Sequence, residues 1–219
     1  MMLRNSVYAL ATAAAFGLAA PQALAQDDDA IRTTEYPVDD ITYPELRDFE
    51  VPEPRRVTLD NGLTLFLIED RELPQVSAVA RIGTGSVYEP SEKVGLASVT
   101  GTAMRTGGTA SLSPDEVNEL LEGLGASVET GIGSTSGFVF MNTLKEHVDE
   151  VLPVFADILR TPAFAEDKVE LAKTQQKSAI ARRNDNPQQI AFREFDKLVY
   201  GADSPYARTP EYFTIDAIT

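Results

Sequence analysis

The side chains that most often hold metals and move protons are nearly missing from this chain. It has one histidine, His147, and no cysteine. Tight zinc sites are built mostly from imidazole and thiolate, usually with three or four protein ligands. Here only carboxylates remain, 34 Asp and Glu in all, and carboxylate oxygens suit Mg²⁺ or Ca²⁺ better than Zn²⁺. The inventory argues against a tight zinc site, and no metal or cofactor is expected. His147 follows Lys145-Glu146 at a predicted helix start. An imidazole there is ordinarily a partly exposed helix residue rather than a ligand.

The elements that would position any site can be read from pattern. Arg56-Val57-Thr58-Leu59 and Leu63 to Glu69 flank Asp60-Asn61-Gly62, a hairpin signal in which Asn-Gly supplies the positive φ angles of a tight turn. Val76 to Ile82 alternates only partially, which predicts a strand in a mostly buried environment. A helix is predicted over roughly Gly95 to Arg105. Ser113-Pro114-Asp115-Glu116 opens another, with Ser113 as cap, Pro114 in the first turn and Glu116 closing a capping box. Val117, Leu120, Leu121 and Leu124 then share one face, and Gly123 and Gly125 end it.

Strands follow around Ser127 to Ile132 and Phe138 to Leu144. Three helices complete the chain: Glu146 to Leu159, with Pro153 as an irregularity, Glu166 to Arg183, and one opening at Asn186-Pro187 and ending at Gly201. This order predicts an α+β fold, a two-layer domain with a mainly antiparallel sheet and helices on one face.

The ends carry their own signals. Residues 1–25 have Arg4, an apolar run from Val7 to Ala20 and the small-residue end Ala23-Leu24-Ala25. That pattern is a secretory signal peptide cleaved before Gln26. The apolar run is shorter than the roughly 20 residues a membrane span needs, and no Cys follows for lipid attachment. A periplasmic or secreted location is expected, without membrane insertion after cleavage. Residues 26–54, with paired and tripled Asp and four prolines, read as an extended leader, and residues 55–219 as the domain. Ile215 to Thr219 would suit a helix start, which suggests a piece of a longer protein. The net charge of −15 repels nucleic acid and anionic membranes; it is compatible with plain solubility or with a basic peptide as partner.

Several strings, in order, resemble the pitrilysin (insulinase) family. They are Leu59-Asp60-Asn61-Gly62-Leu63, Val94-Gly95-Leu96-Ala97, Gly107-Gly108-Thr109 before a capped helix, Gly125-Ala126, Asp185-Asn186-Pro187 and Tyr206-Ala207-Arg208-Thr209-Pro210. In active members Gly-Leu-Ala runs into H-x-x-E-H on a helix. Residues four apart share a helical face, so two imidazoles grip one Zn²⁺ while the Glu handles the proton of the bound water. Carried over, the first His position is Ser98, the Glu position Gly101 and the second His position Thr102. Hydroxyls are poor zinc ligands, and glycine carries no proton. The third-ligand region falls around Lys177-Ser178-Ala179; the nearest upstream acid on that helix, Glu170, is about 10–13 Å away. Ser98 as a nucleophile would need a base beside it, and the one histidine is on another element. The expected catalytic set is empty.

The resemblance also implies a larger molecule, in which such domains enclose a chamber and only one half bears zinc. In some bacterial members the halves are separate chains. The implied partner is a zinc-bearing subunit of the same family, and the implied ligand is a peptide added as an extra strand along Ser127, Val128, Glu129, Thr130 and Gly131. Such pairing uses main-chain hydrogen bonds and survives side-chain change; acidic Glu129 would favour a basic peptide. Two other readings stay open. One is a stand-alone peptide-binding or chaperone-like protein, the other an active metallopeptidase with an unfamiliar site.

Overall fold

Arg55–Thr58 (β1) and Thr64–Leu67 (β2) pair antiparallel, with Thr58 opposite Thr64. In this computed structural model residues 43–45 and 51–219 are described. The expected signal peptide and most of the leader lie outside them. The turn is wider than the expected tight pair of left-handed residues. Gly62 alone has positive φ, at 86°. The Asn61 side chain instead accepts the Leu63 N–H at 3.0 Å, so this residue serves the turn through its amide oxygen and needs no left-handed backbone.

The chain divides into two units, Met1–Ile68 and Glu69–Thr219. In the second unit Gln75–Ile82 (β3), Ser127–Ile132 (β4) and Gly137–Leu144 (β5) form an antiparallel sheet in the order β3-β5-β4. The expectation that β3 sits in mostly buried surroundings does not hold. Its residues alternate, with Gln75, Ser77, Val79 and Arg81 exposed, because helices cover one face of the sheet and leave the other open. The central strand shows the same division: Val139, Met141 and Thr143 are buried, while Phe138 and Leu144 are exposed.

Among the described residues the α-helices are, in chain order, Leu96–Thr106 (α1), Pro114–Gly123 (α2), Val148–Arg160 (α3), Glu166–Arg182 (α4), Pro187–Tyr200 (α5) and Tyr212–Asp216 (α6). The α2 start is the expected capping box. The Glu116 N–H donates to Ser113 Oγ at 3.3 Å, and the Glu116 carboxylate accepts the Ser113 N–H at 2.8 Å. Hydrogen bonds from the Ser113 hydroxyl and then its backbone N–H hold the Glu116 carboxyl below its ordinary pKa. The helix predicted from Glu146 begins later, at Val148, after a 3-10 turn over Lys145–His147. Pro153 is accommodated inside α3 on its exposed side.

Two apolar clusters meet at α1. Met104 joins Val117 and Leu121 of α2, Val139 and Met141 of β5, and Val151 and Ile158 of α3. Truncating one such side chain, Leu121→Ala for example, costs about 2–5 kcal/mol. On the other side Val99 packs with Ala172 and Ile180 of α4 and with Ile215 and Ile218. The segment expected to begin a helix at Ile215 is therefore the buried end of α6. The helix starts earlier, because Glu211 and Thr214 cap each other reciprocally. Helix α5 has no buried residue and leaves Phe192, Phe195 and Leu198 exposed.

Candidate functional site

The α1 helix is anchored by groups distant in sequence. Gly95 is its N-cap in the left-handed region at φ 104°, and an added Cβ would lie 2.5 Å from Ile215 Cδ1. The left-handed backbone is what favours glycine here, since the Ile215 methyl could shift. Gly95 also has no side chain with which to cap. The buried Glu89 carboxylate does so instead, accepting the N–H of Gly95 at 3.0 Å and of Ala97 at 2.5 Å. Negative charge at a helix N-terminus is favoured by the exposed N–H groups and the helix dipole. Arg208 Nη1 donates to the Glu89 carbonyl at 3.0 Å, and Thr214 Oγ1 to the Val94 carbonyl at 2.8 Å.

Along the helix the three positions in question are put to use. Gln176 Nε2 on α4 donates to Ser98 Oγ at 2.5 Å. Gly101 meets β4: a Cβ there would lie 2.9 Å from Ile132 N and 3.3 Å from Gly131 Cα, and the Gly101 carbonyl accepts the Thr130 hydroxyl at 2.5 Å. Thr102 is half-buried one turn past Ser98, and its carbonyl accepts the Thr106 hydroxyl at 3.0 Å. This donor set does not fit zinc. One hydroxyl is tied to an amide, one position has no side chain, and the third offers another neutral hydroxyl. On α4, Ser178 and Ala179 are exposed, and the residue facing Ser98 is Gln176, just upstream of the region expected for a third ligand. His147, in the 3-10 turn before α3, pairs with Glu150 of that helix at 3.3 Å. Among the described residues no group of three or more His, Cys, Asp or Glu is placed to hold a metal ion.

A cleft of about 240 Å³ opens beside the α1 start, lined among others by Ser86, Glu89, Ser98, Ile132, Gln176 and Arg208. It is smaller than the roughly 300–1,000 Å³ of ordinary ligand pockets. A second, of about 320 Å³, has Arg183, Phe192, Arg193, Tyr206 and Arg208 on its wall. All three of its guanidinium groups are already engaged, Arg183 by Glu211, Arg193 by the Asn184 side chain and Arg208 by the Glu89 carbonyl.

The β4 strand is an outer strand of the sheet. Gly133 N donates to Ser136 O across the β4–β5 turn at 2.9 Å, which makes these two a hydrogen-bonded pair. Pairs alternate along an antiparallel ladder. By the register of β4 on β5, Ser127, Glu129 and Gly131 are then bonded to β5, while Val128, Thr130 and Ile132 turn their N–H and C=O outward. Of the five residues expected to form a peptide edge, two have outward main-chain groups; Ile132, one residue past the expected stretch, adds a third. Val128 O is not free. Arg105 Nε donates to it at 2.6 Å, and Arg105 Nη1 donates to Asn118 Oδ1 on α2 at 3.0 Å.

Residues 65–205, well over half of the chain, match the family described as insulinase, peptidase family M16. The chain belongs to this family. It is 30% identical over 155 residues to an uncharacterized zinc protease of Rickettsia felis, with 68% of this chain and 36% of that protein covered. An alpha subunit of the mitochondrial-processing peptidase from Solanum tuberosum is 24% identical over 182 residues, covering 82% of this chain and 35% of its own. The chain thus spans little more than a third of these curated relatives. Among solved structures, the inactive domain of an M16 peptidase from Pseudomonas fluorescens superposes with a TM-score of 0.66 at 22% identity, over 75% of this chain and 42% of that one. The periplasmic protease PqqL from Escherichia coli does so with the same TM-score at 12% identity, over 78% and 19%. These likenesses support the α+β fold. Among the described residues, no helix is long and apolar enough to cross a membrane.

Proposed function

We propose that this chain is a non-catalytic M16 domain, exported from the cytoplasm, that binds peptide along β4. In this reading it forms part of the wall of a heteromeric peptidase whose zinc is supplied by a family partner. The domain is taken to run over residues 55–219 behind a cleaved signal and a leader. One observation carries the reading. Where the family resemblance implies a proton-carrying glutamate, Gly101 lies so close to Ile132 N that there is no room for a side chain, while the outward main-chain groups of Thr130 and Ile132 have no backbone partner among the described residues. The chemistry of the site has gone, and the surface that could hold an extended peptide has stayed.

The test uses the full-length protein, alone and mixed with a metal-bearing M16 family member from the same organism. Alone, it should contain no stoichiometric zinc and give no chelator-sensitive cleavage of a basic peptide. With the partner, cleavage should rise and the two should co-purify. Peptide binding without any co-purifying relative would favour a stand-alone binding protein. Stoichiometric zinc with cleavage by the protein alone would overturn the proposal.

A further inference from the structure

Resting on that edge reading, we infer that Arg105 sets how much of β4 a docked peptide can use, by closing the edge at Val128. Three residues turn main-chain groups outward, and each could pair with one residue of an added strand. At Val128 the lane is occupied. Arg105 Nε sits 2.6 Å from the carbonyl oxygen, whereas an added strand would run about 4.8 Å from β4. The two cannot share the space. The guanidinium is also held from behind by Asn118 at 3.0 Å, so it is tied to α2 as well as to the strand. A peptide N–H that displaced it would exchange a charged donor for a neutral one, and charge-assisted hydrogen bonds are roughly twice as strong. Pairing is therefore confined to Thr130 and Ile132, which between them engage a peptide stretch of about three residues. The chain beyond that stretch is turned away from the sheet.

The contact is a consequence of the α1 sequence. Arg105 lies in its last turn, where a cation is favoured by the helix dipole. It is one turn beyond Gly101, whose close approach brings this end of the helix over β4. The position is selective in its effect: it limits the length of a bound segment without excluding binding.

The experiment uses full-length protein and fluorescent Ala/Lys peptides of about three to nine residues, with affinity read by anisotropy and amide exchange read at β4. The native protein should gain little affinity beyond about four residues. Arg105→Ala should continue to gain with length, reaching about tenfold tighter binding for the longest peptide, with new protection at the Val128 amide. Asn118→Ala, which leaves the arginine in place but frees its far end, should move in the same direction by less. It serves as the readout if Arg105→Ala does not fold. Peptides that protect Thr130 in all proteins but show one common length dependence would overturn the role of Arg105 and leave the edge reading intact. If no peptide protects Thr130 in any of the proteins, the edge reading fails, and this inference fails with it.

Discussion

Gly101 on α1 and Ile132 on β4 lie so close that a methyl group on the first would come within 2.9 Å of the backbone nitrogen of the second. Two effects oppose each other in Gly101→Ala. Alanine is favoured over glycine inside a helix by about 1 kcal/mol, and overpacking against backbone costs about 1–3 kcal/mol. The neighbour is a main-chain atom of a strand, which cannot swing aside, so the clash wins. Gly101→Ala should lose about 1–2 kcal/mol in urea unfolding, and Gly101→Glu more. The triple change Ser98→His, Gly101→Glu, Thr102→His should not acquire stoichiometric zinc by metal analysis.

Ser98 acts as an acceptor for Gln176, and its replacement tests this directly. Ser98→Ala leaves the Gln176 amide without that partner and should cost about 1 kcal/mol. Peptide binding should be unchanged, and a serine-directed phosphonate should label neither protein. Labelling that disappears in Ser98→Ala would assign it a nucleophilic role instead.

Glu89 holds the first turn of α1 by two main-chain hydrogen bonds. Glu89→Gln keeps one acceptor oxygen and removes the charge, so a loss of about 1–2 kcal/mol is expected. Amide exchange at Gly95 and Ala97 should accelerate ahead of the rest of the helix. Equal acceleration along all of α1 would show that Glu89 acts on the fold as a whole.

The capping box gives a pH dependence with a definite sign. Hydrogen bonds from Ser113 lower the Glu116 pKa in the folded state. The stabilisation is therefore fully present above the ordinary value near 4.5 and is lost as the pH falls through the lowered folded value. The α2 start should loosen in that acidic window. Ser113→Ala should bring the Glu116 titration, followed by NMR, back toward its ordinary value and abolish this part of the pH dependence.

Local chemistry was legible in the sequence; long-range partnership was not. The box at Ser113 and Glu116, the Asn186-Pro187 helix start and the strands near 127–132 and 138–144 rest on residues a few positions apart, and they form where pattern places them, the second strand starting one residue earlier, at Gly137. Gln176 is 78 positions from Ser98, and no local rule pairs a glutamine with a serine at that distance. Arg105 reads as an ordinary last-turn cation until β4 is seen beneath it. Glu89, in a Tyr-Glu-Pro turn, gives no sign that it caps a helix several residues on, because the capping signal is sought at the cap residue itself, here Gly95. The half-open environment of β3 was missed for a related reason: whether a second layer covers a strand depends on where helices distant in sequence come to rest.

The bonds from Arg208 to the Glu89 carbonyl and from Thr214 to the Val94 carbonyl bridge 119 and 120 positions. During synthesis, these two carbonyls of the lead-in to α1 therefore lack their native donors until nearly the whole of this stretch has left the ribosome. Contacts of such separation are made late, because the intervening loop must close first. The α2 helix and the β4–β5 hairpin can take shape as they emerge, but the turn before α1 must wait for the last dozen or so residues. A translation pause placed before Pro205 should leave that turn cleavable by protease while the hairpin is already resistant.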